Sequence, residues 1–130
     1  MDFKSGKAIY LQIADYFYES ILQKGMKADD RIPSVRDLAV EIEVNPNTVM
    51  RTYTLLQNQG IIYRKRGIGY FISDEAYETV HRMKKDEFIS EKLPAFFKTM
   101  NNLNITIDDI NHFFQEYLNN KLKTNENESK

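Results

Sequence analysis

Ile32-Pro33-Ser34-Val35-Arg36-Asp37-Leu38-Ala39 and, after residues 40–43, Val44-Asn45-Pro46-Asn47-Thr48-Val49-Met50-Arg51 are the stretches that decide the fold. Ser34 stands where an N-cap belongs, ahead of an apolar stripe made by Val35, Leu38, Ala39 and Ile42. A hydroxyl there accepts from an unpaired amide of the first turn, and Asp37, three residues on, makes a short-armed capping box. Asn45 repeats the signal for a second helix. Pro46 falls on its first residue, where a missing N–H costs nothing. Val49, Tyr53, Leu55 and Leu56 carry that helix to about Asn58, and Gly60 closes it. Two helices separated by a tight turn, the later one with a polar first turn, thus form the centre of the fold.

On the N-terminal side, Ile9, Ile13, Phe17, Ile21 and Leu22, with Tyr10, Ala14 and Tyr18 alongside, recur at helical spacing. They predict a helix from about Ala8 to Lys24, stopped by Gly25, with a polar loop from Met26 to Pro33. On the C-terminal side the period changes. Ile61–Arg64 and Tyr70–Ser73 read as short strands joined by Lys65-Arg66-Gly67-Ile68-Gly69, a hairpin with a basic tip. Helix, short helix, turn, helix, hairpin is the order of a winged helix-turn-helix: mostly α, with a small β-hairpin wing. Past Ser73 a helical stripe returns, with Tyr77, Val80, Met83, Phe88, Leu93, Phe96, Phe97 and Met100 on it. Pro94 is expected to kink that helix or divide it. Thr106 with Asp109 marks another helix start, followed by Ile107, Ile110, Phe113, Phe114, Tyr117, Leu118 and Leu122. The expected organisation is a winged domain over 1–73, a helical dimerisation segment over 74–123, and a polar, disordered tail over 124–130.

Composition narrows what such a chain does. A 42% hydrophobic fraction in 130 residues allows a core, and 28% charged residues keep the surface polar. There is no cysteine, and His81 and His112 are far apart without ligand spacing, so no metal site is expected. No apolar run approaches the roughly 20 residues of a membrane span, and no signal-peptide pattern opens the chain, so the cytoplasm is the expected compartment. Net charge is −1, but the basic residues cluster. Residues 1–73 hold ten Lys/Arg against eight Asp/Glu, while 74–130 hold eight against eleven. Asp and Glu are missing from Val44 to Ser73, where Arg51, Arg64, Lys65 and Arg66 all lie. Phosphate contact depends on such local charge and not on the total.

A helix fits the DNA major groove, and the side chains of its first turn reach base edges. Asn45, Asn47, Thr48 and Arg51 suit base and backbone contact. Asn pairs bidentately with adenine and Arg with guanine, and Thr touches phosphate or a thymine methyl. Asn47 and Arg51 are four apart and share a helix face. Asn45 also reads as a plain structural cap. Arg36 points away from the Val35/Leu38/Ile42 stripe, toward solvent or a partner. Lys65 and Arg66 suit phosphate contact or a merely soluble hairpin tip, and Gly67 lets backbone approach closely.

These residues carry a recognisable pattern. Ala8-Ile-Tyr-Leu-Gln-Ile13, Ile32 to Ala39, Val44 to Tyr53, Leu56 to Gly60 and Ile61 to Phe71 closely resemble the N-terminal domain of GntR-family bacterial regulators, over roughly residues 7–73. The segment from Asp74 is too short for the large ligand-binding or aminotransferase-like domains of other subgroups. It is similar to the YtrA-type subgroup, whose short helical extension serves dimerisation. The resemblance implies a transcription regulator, most simply a repressor, binding double-stranded operator DNA. It implies DNA contact by Arg36, Thr48 and Gly67; with Ser34, Asn45, Asn47, Arg51, Lys65 and Arg66 these make the candidate DNA-binding set. Many members outside the subgroup carry Arg at the positions of Pro46 and Met50; here the arginine falls at Arg51.

Two amphipathic helices alone bury too little to stand as a monomeric domain. Phe88, Phe96, Phe97, Met100, Ile110, Phe113, Phe114 and Tyr117 are therefore expected at a homodimer interface. A ligand pocket among those aromatics is the rival reading, and nothing in the sequence indicates a small-molecule effector or a cofactor. A winged-helix module that binds protein instead of DNA is the alternative function. An enzyme is not expected: there is no Ser/His/Asp or Cys/His constellation, and Gly67-Ile68-Gly69 lacks the following helix of a dinucleotide site.

Overall fold

The computed structural model describes residues 1–128. Its elements are α1 (Ile9–Leu22), β1 (Arg31–Ile32), α2 (Val35–Glu41), α3 (Pro46–Asn58), β2 (Ile62–Lys65), β3 (Gly69–Ile72), α4 (Ala76–Glu87), a π-helical segment (Phe88–Lys92), α5 (Leu93–Asn102) and α6 (Ile107–Glu128). They fall into two compact units, Met1–Lys85 and Asp86–Lys130.

The first unit buries one apolar face of each element. Ile13, Ala14, Phe17 and Ile21 of α1 join Leu38 and Ala39 of α2, Val49, Tyr53 and Leu56 of α3, and Ile61, Ile62 and Ile72 of the hairpin. Tyr53 lies at the centre, fully buried, with Phe17 edge-on at 5.8 Å and Tyr70 at 4.9 Å between ring centroids. Its hydroxyl donates to the Pro33 carbonyl at 2.6 Å, which satisfies the buried phenol and ties α3 to the residue preceding the α2 cap. Burial drives its pKa far above that of a free phenol, so it stays a donor. Ala76 and Val80 also enter this core. The first unit therefore runs past Ser73 to Lys85, because α4 contributes its first apolar positions inward.

The sheet has three antiparallel strands in the order β1-β3-β2. Strand β1 falls within the stretch that the sequence predicts as loop, since two residues among polar neighbours have no readable period. It pairs Arg31 with Phe71 and Ile32 with Tyr70. The hairpin strands sit one residue nearer the tip than the sequence suggests, with Lys65 opposite Gly69.

Four helices end in the same way. In each, the residue three beyond the helix donates its N–H to the carbonyl of the third-from-last helical residue, a 6→1 bond. The pairs are Gly25 to Ser20, Val44 to Ala39, Ile61 to Leu56 and Ile105 to Met100. The left-handed residues that permit this are Lys24, Glu43, Gly60 and Asn104. Gly60 does as expected, but at α1 the left-handed residue is Lys24, one before the expected Gly25.

In the second unit, Leu93 N–H bonds the Phe88 carbonyl, five residues back, so the turn before Pro94 is widened. A proline cannot donate and crowds the carbonyl four residues earlier, and the π-helical segment absorbs both effects. Thr106 and Asp109 form a reciprocal capping box at 3.0 and 3.1 Å, which starts α6. Helix α6 continues through Thr124–Glu128, where the composition predicts disorder; Ser129 and Lys130 lie outside the described residues. That stretch has no Gly or Pro to stop a helix already nucleated, and the Thr124 hydroxyl donates to the Asn120 carbonyl at 3.0 Å.

Candidate nucleic-acid interface

The local chemistry of the two caps sets where the candidate side chains emerge. Ser34 Oγ accepts from Asp37 N–H at 3.1 Å, and Asn45 Oδ1 accepts from Asn47 N–H at 2.8 Å. Both residues thus work as caps. What each retains for a ligand is a donor, the Ser34 hydroxyl proton and the Asn45 side-chain NH₂. Arg36 is the second residue of α2 and is exposed. Pro46 opens α3, and Asn47, Met50 and Arg51 are exposed on it, with Thr48 half-buried.

Asn47, Thr48 and Arg51 line one open groove of about 380 Å³ together with Ala8, Ile9 and Tyr10. The expected sharing of a face by Asn47 and Arg51 is what the helix delivers, but α1 supplies the other wall. The Arg51 guanidinium lies over the Tyr10 ring, 3.8 Å from its centroid. Tyr10 reads in the sequence as a flank of the α1 stripe. Its one signal is position: it continues the Ile13/Phe17/Ile21 register past the end of the core.

The wing is built from the tip back. Ile68 N–H bonds the Lys65 carbonyl at 2.9 Å across a turn in which Gly67 takes φ +79°. A residue with a Cβ is strained there, so Gly67 sets the turn. Gly69 has a different reason: a Cβ on it would come 3.2 Å from Arg31 Nε. Arg31 crosses that open space and donates from Nη2 to the Ile68 carbonyl at 2.7 Å. It pins the tip of the wing from β1, a role invisible without that strand. Arg64, Lys65 and Arg66 are exposed. Arg64 and Lys65 rest against the ring faces of Tyr70 and Phe71, at 5.7 and 5.0 Å, so their stems are held along the sheet.

The second unit presents a different surface. Phe88, Phe96, Phe97, Phe113, Phe114 and Tyr117 are all exposed, Tyr117 by 60%, and Ile110 is half-buried. Met100 departs from the expectation, because at 7% exposure it is already covered within the single chain. Among the described residues no group of three or more His, Cys, Asp or Glu is placed to hold a metal ion, and no helix is long and apolar enough to cross a membrane.

A helix-turn-helix whose later helix exposes a polar first turn, followed by a basic hairpin on a three-stranded sheet, defines a winged helix-turn-helix protein. The chain belongs to the GntR family of bacterial regulatory proteins, whose family model matches residues 9–72. It is 41% identical over 108 residues to the HTH-type transcriptional regulator YhcF of Bacillus subtilis, covering 83% of this chain and 88% of that one. It is 34% identical over 116 residues to the HTH-type transcriptional repressor YtrA of Bacillus subtilis, covering 89% and 88%. The likeness to YtrA thus includes the helical extension and is of the YtrA type. A GntR-family transcriptional regulator from Bacteroides thetaiotaomicron has the same fold, with 42% identity and a TM-score of 0.73 over 88% of this chain and 99% of that one.

Proposed function

We propose that this regulator binds double-stranded DNA as a homodimer, reading a pseudo-palindromic operator and repressing transcription from it. The observation that carries the reading is the α3 groove, where Asn47, Thr48 and Arg51 converge in a stretch without any acidic residue. Asn47 and Arg51 offer the bidentate pairings that distinguish adenine and guanine in the major groove. Arg36, Thr48 and the retained donors of Ser34 and Asn45 serve phosphates beside it, and Lys65, Arg66 and the Gly67 backbone serve the wing. Phosphate contacts fix register, and base contacts specify.

Dimerisation is supported by the uncovered phenylalanines of the second unit. Contiguous exposed apolar surface on a soluble chain marks an interaction site. The 34% identity to a named repressor spans this segment too. A second copy related by two-fold symmetry brings two α3 helices to one duplex, which is why the operator has two half-sites. Repression follows from occupancy of promoter DNA.

The test is binding of the full chain to duplex DNA across a salt series, with the mass of the free protein measured by light scattering. The expected result is a dimer mass at micromolar concentration and an affinity that falls steeply with salt. No binding even at low salt favours a protein-binding module on the same surface. A monomer mass removes the dimer.

A further inference from the structure

We infer that Tyr10 is a positioning residue for Arg51, making the start of α1 a specificity-determining part of the DNA-reading surface. The inference rests on the DNA-binding reading above and goes beyond it, because α1 carries none of the base-contacting side chains. An arginine side chain is long and has many rotamers, and a base reader must present its fork in one of them. Here the Tyr10 ring lies beneath the guanidinium at 3.8 Å from the centroid. Stacking uses the face of the guanidinium and leaves its N–H edge free, and that edge makes the paired bonds to guanine O6 and N7.

The backbone that carries the ring is itself tied to the helix it serves. The Thr52 hydroxyl, fully buried, donates to the Tyr10 carbonyl at 2.8 Å. Thr52 follows Arg51 in sequence, so the root of the ring and the root of the arginine are tied one residue apart on α3. The same groove holds Asn47 and Thr48. Because the Thr52 bond goes to backbone, replacing the Tyr10 side chain leaves it in place. The ring's effect on Arg51 is thereby separable from its anchor.

The experiment compares Tyr10→Leu, Tyr10→Phe, Arg51→Ala and the Tyr10→Leu/Arg51→Ala double variant. Each is checked for folding by thermal unfolding, then assayed for sequence preference against a library of single-base changes in the site the wild type selects. Tyr10→Leu is expected to weaken binding to that site by about two- to fivefold and to flatten preference at the base position that Arg51→Ala flattens. Tyr10→Phe keeps the ring face and is expected to retain the wild-type preference. In the Arg51→Ala background, Tyr10→Leu is expected to add nothing. The inference is overturned if Tyr10→Leu leaves the preference intact, lowers affinity equally for every sequence, or adds fully to Arg51→Ala. It is also overturned if Tyr10→Phe loses as much as Tyr10→Leu. A wild type that selects no sequence at all overturns the DNA-reading function itself; a wild type that selects a site while Tyr10→Leu selects it equally well overturns this inference alone.

Discussion

The two units treat their aromatic residues in opposite ways. In the first, Phe17 and Tyr53 are buried to within 1% and stack edge-on around a core that α1, α2, α3 and the hairpin all share. In the second, Phe96, Phe97, Phe113 and Phe114 are each about half exposed, at 44, 48, 57 and 53%. Both are helical and both carry amphipathic stripes. The difference is that one unit closes its core within a single chain, and the other leaves large apolar side chains exposed. On the proposed reading, the closed core holds the DNA-reading face and the uncovered faces pair with a second copy.

The largest effect bearing on this contrast is expected from truncation in the closed core. Tyr53→Ala is expected to cost about 3–5 kcal/mol of unfolding free energy, read by urea denaturation. It removes the central ring and leaves the Pro33 carbonyl without its donor. Phe113→Ala, by contrast, is expected to lower the thermal midpoint in a way that depends on protein concentration, because its loss falls on association. Equal and concentration-independent losses at both positions would erase the distinction between the units.

On the reading head, Arg51→Ala is expected to cost about 1–3 kcal/mol in operator binding and to relax preference at one base position per half-site. Lys65→Ala is expected to weaken all sequences alike and to reduce the slope of affinity against salt by about 1. Footprint titrations over a salt series separate the two patterns.

A smaller effect runs the other way. Glu43, just past the end of α2, has φ +57°, a conformation that costs a residue with a Cβ about 1–2 kcal/mol. Glu43→Gly is expected to stabilise the first unit by about 0.5–1 kcal/mol, after allowing for the freer unfolded chain, as read by urea denaturation. In the second unit, the Asp109 carboxyl is held below its usual range by the Thr106 backbone N–H first and by the Thr106 hydroxyl next. The stability this capping box contributes is present above the ordinary aspartate pKa and is lost as pH falls through the lowered folded value. Helicity by circular dichroism is expected to decline in that acid window, and Asp109→Asn to flatten the decline.

Much of the fold is legible in the sequence because its signals are local. Ser34, Asn45 and Thr106 announce helix starts by their own side-chain chemistry, and each makes the bond that its spacing implies. What escapes a reading of the sequence depends on chain segments meeting. Strand β1 exists only because β3 lies beside it, and so Arg31, which pins the wing, carries no mark in the sequence. Arg51 is readable as an exposed residue on the face of Asn47, but the ring beneath it comes from α1, 41 residues earlier. Lys24 takes the left-handed turn in place of Gly25 because helix length, set by the core, decides where the turn falls. Met100 resembles its exposed neighbours in sequence because periodicity does not tell a covered position from an open one on the same stripe.

Selection of bound sequences from random duplex DNA by the 130-residue chain bears on the reading function without intermediaries. Enrichment of one inverted repeat is expected, its half-sites centred about one helical turn apart or a multiple of it, with the positions read by Arg51 and Asn47 the most constrained. Enrichment of a single unrepeated half-site, or of nothing above the starting pool, would contradict a dimeric DNA reader.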